Sequence, residues 1–233
     1  MNCGVWKEMR DLADWKAREH PHRKVFEGRF VRLEPLEAGR HGDELYEAAT
    51  QGDADSRFRW LMEKTPESRE AFQPWLERVE KSEDPMYFAV IDLTTGKVAG
   101  RQTMMRMNPE HGVAEIGHIH WGPLIQKTPA TTEAFYLFAS HIFDELGYRR
   151  FEWKCNNRNE PSKDSALRYG MTAEGVHRQS LVIKGENRDT AWFSLLDYEW
   201  PKAGAAMRSW LDPSNFDAEG KQIERLEAIR RSL

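Results

Sequence analysis

The chain has 233 residues, of which 39% are hydrophobic and 31% charged, and its formal net charge is −4. This length and composition predict a folded domain with extensions and exclude a disordered protein. The acidic balance and the lack of a dense basic stripe argue against nucleic-acid binding. The two cysteines, Cys3 and Cys155, are too few for a disulfide scaffold.

The start of the chain and its hydropathy predict a cytoplasmic protein. The first ten residues mix charged residues with single apolar ones, and we find no apolar core of a signal peptide there. No run of 18 apolar residues is present, so no membrane partner is expected.

The residue pattern divides the chain into three parts. Residues 1–27 are polar and predict an N-terminal extension. Residues 28–200 predict one mixed α/β domain around a single sheet. Residues 201–233 predict a charged, helical tail, whose apolar residues dock either on this domain or on a second copy in a homodimer.

Alternating and helical spacings of apolar residues predict the elements of the central domain. The strands are expected at residues 30–34, 86–93, 98–107, 113–121, 149–155, 175–183 and 190–200. The helices are expected at residues 41–49, 56–62, 68–81, 129–146 and 159–169. Pro74 favours a break in the third helix, and Gly147 is a natural end for the fourth.

Three segments carry a resemblance to a known family. They are Glu-Ile-Gly-His-Ile at residues 115–119, Thr-Glu-Ala at 132–134, and Asn-Glu-Pro-Ser at 159–162 with Gly170-Met171 following. In this order they make the chain similar to the GNAT superfamily of acyl-CoA-dependent N-acyltransferases. The closer likeness is to its ribosomal-protein, RimJ/RimL-type N-acetyltransferase branch.

The resemblance implies a mixed α/β fold in which two central parallel strands, residues 113–121 and 149–155, splay apart. The gap would hold the pantetheine arm of acetyl-CoA, and the pyrophosphate would lie at the start of the next helix. The residues expected to bind this co-substrate are Ile119, His120, Trp121, Gln126, Lys127, Thr128, Ala130, Thr131 and Asn159.

The loop before this helix departs from the family's glycine-rich pattern. Lys127 and Pro129 stand at the two usual glycine positions, and Pro129 lacks the N–H that a phosphate would accept. Thr128 as the cap and Pro129 as the first helical residue still predict free amides that favour an anion, and Lys127 adds a positive charge. The alternative is a cap that serves stability alone.

The resemblance leaves the catalytic acid and base open. The tyrosine that many members use as the acid would fall on Ala166, so we expect Ser162 to hydrogen-bond the leaving sulfur, unless it only caps its helix. Glu115, His118 and His120 compete for the role of base. Tyr169 is expected to pack in the core.

The strand predicted at residues 113–121 carries two histidines, His118 and His120. Regular alternation places Ile116, His118 and His120 on one face and Glu115 on the other, and a bulge would change this. The two strand histidines with His111 resemble a zinc site, but no further ligand has a defined spacing, so no metal is predicted.

The sequence thus predicts an acetyl-CoA-dependent N-acetyltransferase that acts on a primary amine by direct transfer in a ternary complex. The amine would belong to a protein N-terminus, another peptide or a small molecule. The alternative is a non-catalytic acyl-CoA-binding protein of the same fold, which the missing glycines and tyrosine would favour.

Overall fold

Eight strands form one sheet in the computed structural model, which describes residues 11–233. The strands are β1 (Phe26–Glu27), β2 (Val31–Pro35), β3 (Met86–Asp92), β4 (Val98–Asn108), β5 (Val113–Trp121), β6 (Arg150–Asn156), β7 (Thr172–Ile183) and β8 (Glu186–Leu196). Their order is β1-β2-β3-β4-β5-β6-β8-β7. Only the neighbours β5 and β6 are parallel, so the parallel pair lies inside an otherwise antiparallel sheet.

Helices cover both faces of the sheet. They are α1 (Ala38–Thr50), α2 (Ala54–Phe58), α3 (Arg69–Glu80), α4 (Pro129–Ser140), α5 (Glu160–Arg168), α6 (Trp200–Leu211) and α7 (Leu226–Ser232). The first and third pack on one face around Leu45, Trp75 and Leu76, and α4, α6 and α7 belong to the larger core on the other face. Within residues 11–233, no helix is long and apolar enough to cross a membrane.

The predicted mixed α/β fold is confirmed, with differences in individual elements. The second helix is Ala54–Phe58 rather than 56–62, and the last strand is Glu186–Leu196 rather than 190–200. Two further differences concern the third and fourth helices. The third helix runs through Pro74 without a break, so the expected interruption is wrong. Proline has no N–H, so the carbonyl of Glu70 lacks its helical hydrogen-bond donor. Pro74 and Glu70 are both exposed, so water can donate to that carbonyl instead. The predicted helix 129–146 is α4 followed by one π-helical turn, His141–Glu145, and the chain leaves it at Gly147 with a φ of +63°.

Segments on both sides of residues 28–200 contribute to the core. Phe26 in β1 is buried, with its ring edge-on to those of Phe88 and Phe138. Trp210, Leu226 and other apolar residues of the tail are buried in the same core. The tail therefore docks on its own domain, while the domain limits stay a prediction. Cys3 lies outside the described residues.

One buried carboxylate joins α4 to the start of the sheet. Glu133 accepts hydrogen bonds from the backbone N–H groups of Arg29, Phe30 and Val31, at 2.8, 2.6 and 2.9 Å. Gly28 permits this approach, because a Cβ there would lie 2.3 Å from the carboxylate. The acidic residue of the Thr-Glu-Ala segment therefore holds the turn between β1 and β2 on the helix.

Replacement of this carboxylate should destabilise the protein strongly. Glu133→Ala leaves three backbone donors without their acceptor, and we expect the free energy of unfolding to fall by about 3 kcal/mol or more. Urea denaturation measures the change. Glu77→Ala, at an exposed position of α3, should change it by less than about 0.5 kcal/mol. A similar small effect of Glu133→Ala would mean that water replaces the carboxylate.

Candidate active site

The parallel strands separate partway along their length, and a cleft opens between them. β5 and β6 pair from Val113 with Arg150 to Ile116 with Trp153, and no further. Beyond this point β5 stays beside β4 as far as Trp121, whereas β6 stays beside β8. The cleft has a volume of about 1490 Å³. The splayed central strands expected from the resemblance are therefore present.

A bulge in β5 lies where the strands separate. Thr103 pairs with Gly117 and Arg101 with His120, so three steps along β5 match two along β4. His118, inside the bulge, has a φ of +44°, a left-handed conformation that costs energy for a residue with a Cβ. Arg101 supports it by donating from Nη1 to the His118 carbonyl at 2.9 Å.

The bulge changes which side chains share a face. Ile116 and Ile119 pack in the core beneath α4, whereas the His118 ring lies near Tyr87 on the opposite face, 5.6 Å between centroids. The grouping expected for a regular strand is therefore wrong. Glu115 alternates with Ile116, so it shares the face of His118. The candidate bases thus lie on one side of the sheet.

His118 stands in front of a buried ion pair that the sequence did not indicate. Arg101 and Glu63 approach to 3.3 Å between Nη2 and Oε2, and Nδ1 of His118 lies 3.9 Å from Oε1 of Glu63. Burial lowers the pKa of His118, against the opposing charge of Glu63. Burial alone would raise the pKa of Glu63, but Arg101 holds it below its usual value. His118 is therefore a neutral imidazole at neutral pH.

His120 has a different environment from His118. Its ring lies against Phe58, with 4.7 Å between centroids, and both ring nitrogens are buried without a hydrogen-bond partner among the described residues. Burial and the charges of Arg101 and Arg57 lower its pKa to about 3. The side chain is therefore neutral.

Glu115 is held by two cations. Its Oε2 accepts from Nη1 of Arg106 at 2.8 Å and from Nζ of Lys154 at 2.7 Å, and the side chain is 5% exposed. Lys154 also pairs with Glu152 at 2.7 Å. Glu115 therefore fixes the positions of two cationic side chains at the cleft.

Ser162 lies across the cleft on α5, and it does not cap this helix. Asn159 is the cap, and its Oδ1 accepts from the Ser162 backbone N–H at 3.3 Å. The Ser162 hydroxyl accepts from Nε1 of Trp153 at 2.9 Å, so its own proton remains to be donated. Burial raises the pKa of the neighbouring Cys155 thiol, an effect that the Ser162 hydroxyl opposes.

Tyr169 packs in the core, as expected. Its ring stacks on Phe135 with 4.5 Å between centroids, and burial raises the pKa of its hydroxyl. Ala166, at the position of the family's usual tyrosine, is fully buried.

The loop before α4 forms the helix start that the sequence predicts. Thr128 is the cap, with Oγ1 accepting from the Ala130 N–H at 3.3 Å, and Pro129 is the first helical residue. Lys127 has a φ of +60°, the conformation that glycine adopts most easily. The backbone at Lys127 thus adopts a conformation typical of glycine, while the side chain supplies a charge.

A second cation stands beside this helix start. Arg168, in the last turn of α5, donates from Nη1 to Oγ1 of Thr132 at 2.8 Å and lies over the Trp210 ring at 4.6 Å. The C-terminal tail thus meets the cleft at the same place, where Phe216 and Lys221 also line it.

All residues predicted for the site except Ala130 line this one cleft. They are Glu115, His118, Ile119, His120, Trp121, Gln126, Lys127, Thr128, Thr131, Asn159 and Ser162. Ala130 is buried, at 3% exposure. The roles assigned to these residues stay predictions.

The sequence reasoning missed the charged residues that support the site. They are Glu63, Arg101, Arg106, Lys154 and Arg168, and none of them is part of the three matching segments. Arg188 was also not assigned to the site, because its place after a hairpin turn favours a surface pair with Asp189. Lys154 alone had a local signal, because it is a charged residue inside a mostly apolar strand.

Comparison with known proteins identifies the family. A family model described as an acetyltransferase (GNAT) domain matches residues 31–172, which include the splayed strands, α4 and α5. The chain belongs to the GNAT acetyltransferase family. It is therefore an enzyme, and the alternative of a non-catalytic binding protein is not supported. No curated protein matches the chain.

Solved structures agree with this assignment. A GCN5-related N-acetyltransferase from Brucella melitensis is 55% identical with a TM-score of 0.93, covering 94% of this chain and 99% of that one. A probable GNAT-family acetyltransferase from Chromobacterium violaceum is 36% identical with a TM-score of 0.76, covering 84% and 98%. An acetyltransferase of a ribosomal protein's N-terminal serine, from Salmonella typhimurium, is 18% identical, covers 74% and 99%, has a TM-score of 0.64 and shares the fold alone.

Proposed function

We propose that this enzyme transfers the acetyl group of acetyl-CoA directly to a primary amine while both substrates lie in the cleft between β5 and β6. One observation carries the proposal. One cleft is lined both by the start of α4, where Lys127 supplies a positive charge, and by His118 and Ser162. A protein N-terminus, another peptide or a small molecule can supply the amine.

The residues present fit coenzyme A. Backbone amides at the start of α4 lack acceptors within the helix and favour a phosphate, and Lys127 and Arg168 add positive charge beside them. β5 from Ile119 to Trp121 has no β6 partner, so its backbone can pair with the pantetheine arm. Acetyl-CoA, when bound, supplies the acetyl group as a thioester.

We assign His118 as the base. The new C–N bond forms as the C–S bond breaks, and one proton passes in net terms from the amine nitrogen to the thiol. His118 is neutral at neutral pH because burial lowers its pKa, so it can accept the proton that the nitrogen loses. Glu115 is occupied by Arg106 and Lys154, and we assign it to holding these cations.

We assign Ser162 as the hydrogen-bond donor to the leaving sulfur. Its oxygen accepts from Trp153, so this bond leaves the hydroxyl hydrogen available for donation to a sulfur. We also propose that the part of the chain that binds acetyl-CoA belongs to the RimJ/RimL-type branch, and the three matching segments support this. The homodimer and the cytoplasmic location stay predictions.

Acetyl transfer is tested directly with acetyl-CoA and a panel of peptides, polyamines and free amino acids. We expect free thiol to be released in proportion to an N-acetylated product, identified by mass spectrometry. Thiol release without any acetylated amine, or no release with the whole panel, would contradict the proposed function.

The charge of Lys127 should strengthen coenzyme A binding. A charge-assisted contact to a partly exposed phosphate is worth about 1–3 kcal/mol, so we expect Lys127→Ala to raise the Kd roughly 5- to 100-fold. Calorimetry at low and high salt measures it, and the effect should shrink as salt rises. Lys202→Ala, at an exposed position outside the cleft, is the control. Equal affinity of Lys127→Ala and wild type at low salt would contradict the assignment.

Ser162→Ala should lower turnover more than binding. Loss of a donor that acts in the transition state lowers kcat by about 10²- to 10³-fold, whereas the Kd for coenzyme A should change little. Ser165→Ala is a matched control, because the Ser165 hydroxyl also faces the cleft but donates to the Pro161 carbonyl. A kcat for Ser162→Ala within twofold of wild type would assign the donor elsewhere.

The pH dependence of kcat should report His118. Because its pKa is lowered and the neutral form is active, kcat should rise with pH, and the midpoint of this rise should lie below about pH 6.5. An α-amine acceptor would give a separate rise in activity near about pH 8. The charge of Glu63 raises this pKa, so Glu63→Gln should move the limb to lower pH. A limb that persists in His118→Gln would assign it to another group.

A further inference from the structure

The cleft carries a charge opposite to that of the whole protein. Its lining includes seven Lys and Arg residues but one acidic residue, Glu115, although the chain has a net charge of −4. Lys127, Arg168 and Lys221 lie toward the start of α4 and the C-terminal tail, where the phosphates of coenzyme A account for them. The remaining cations lie toward the other end of the cleft and need a different explanation.

Three of these remaining cations have protein partners. Arg106 and Lys154 share Glu115, and Arg57 donates from Nη1 to the Asp53 carbonyl at 3.1 Å. They are therefore positioned by the fold.

Arg188 on β8 is the exception. Within residues 11–233 its guanidinium makes no hydrogen bond and no ion pair, and its Nε is buried. The residue is half-buried, and this burial lowers its pKa. A partly buried cation without a partner is unfavourable, so a ligand that supplies an anion would bind there strongly.

Arg188 lines the same cleft as His118, Cys155 and Ser162. Its positive charge also lowers the pKa of His118 and of Cys155. An anion bound by Arg188 would therefore lie close to the nitrogen that His118 deprotonates. A carboxylate on the carbon next to an amino group has this proximity.

This half of the cleft has apolar as well as charged side chains in its walls, and it is partly closed. The tip of the β7–β8 hairpin reaches α2, where Nζ of Lys184 donates to the Phe58 carbonyl at 2.8 Å. Apolar side chains from the two sides line the space between them, namely Trp60, Leu61, Met62, Leu181 and Trp192. The space suits a small molecule with an apolar side chain.

We propose that the acceptor is a small primary amine with an adjacent carboxylate and an apolar side chain, and that Arg188 binds the carboxylate. This inference rests on the proposed acetyl transfer and narrows its acceptor. The guanidinium offers a planar pair of donors that matches a carboxylate. Polyamines and other polycations would be repelled by the same cations.

The test compares leucine, methionine, phenylalanine and tryptophan with their α-amides. We expect at least one free acid to be acetylated with a kcat/KM at least 10-fold above that of its amide. The amide has the less basic amine, so more of it is neutral and chemistry alone favours the amide. Thermal shifts in the presence of coenzyme A measure binding of the same compounds independently of turnover.

Variants then assign the preference to Arg188. Arg188→Gln should raise the KM of the preferred acid roughly 10- to 100-fold and leave its amide unchanged. Arg188→Lys keeps the charge without the fork and should give an intermediate value. Arg178→Gln, on the exposed strand β7, is the matched control and should change neither.

The outcomes separate this inference from the proposed function. Acetylation of amides or peptides as efficient as that of the acids, or an equal effect of Arg188→Gln on both, would overturn the carboxylate site and leave acetyl transfer standing. Arg188-dependent binding of an acid without thiol release would overturn acetyl transfer and leave the site standing. Neither binding nor turnover with any acid, amide or peptide would overturn both.

Discussion

The geometry of the cleft depends on the contacts of the buried Arg101 guanidinium. Its side chain is 3% exposed and lies over the Trp75 ring at 4.6 Å, and it reaches both the His118 carbonyl and Glu63. A buried charge is tolerated only when its partners are well placed, and removing one partner typically costs about 3–5 kcal/mol. The position of the bulge is therefore coupled to the stability of the whole face that carries α1 and α3.

The bulge in turn divides the cleft into two chemically different sides. Because one extra residue is inserted at His118, Ile119 and Trp121 pack beneath α4, while His118 and His120 face α2 and α3. The part of β5 that has no partner in β6 thus lies between an apolar side of the cleft and a side with titratable groups. Glu133 keeps α4 fixed to the first strands, so the helix start stays in place beside that backbone.

Local patterns predicted the elements well, because strand alternation and helix caps are short-range properties. β5 has the predicted bounds, and Thr128 and Pro129 begin α4 as expected. The faces of β5 were not predictable, because the bulge depends on Arg101 from the neighbouring strand. Likewise, no sequence spacing predicts that Glu63, between α2 and α3, lies near His118. Sequence reasoning placed almost every chosen residue on the cleft and missed the charges that govern their chemistry.

The distribution of charge explains how an acidic protein can serve an anionic co-substrate. Lys127 and Arg168 face the cleft from a loop and a helix separated in sequence, so no basic stripe arises in the chain. Field lines concentrate in a cleft with low-dielectric walls, so a few cations there outweigh an acidic exterior. At the α4 end this charge suits the phosphates of the proposed co-substrate. At the other end, Arg106 and Lys154 are paired with Glu115 and Glu152, whereas Arg188 has no ion-pair partner within residues 11–233. The cleft as a whole thus carries positive charge on both sides of the proposed acetyl-transfer point.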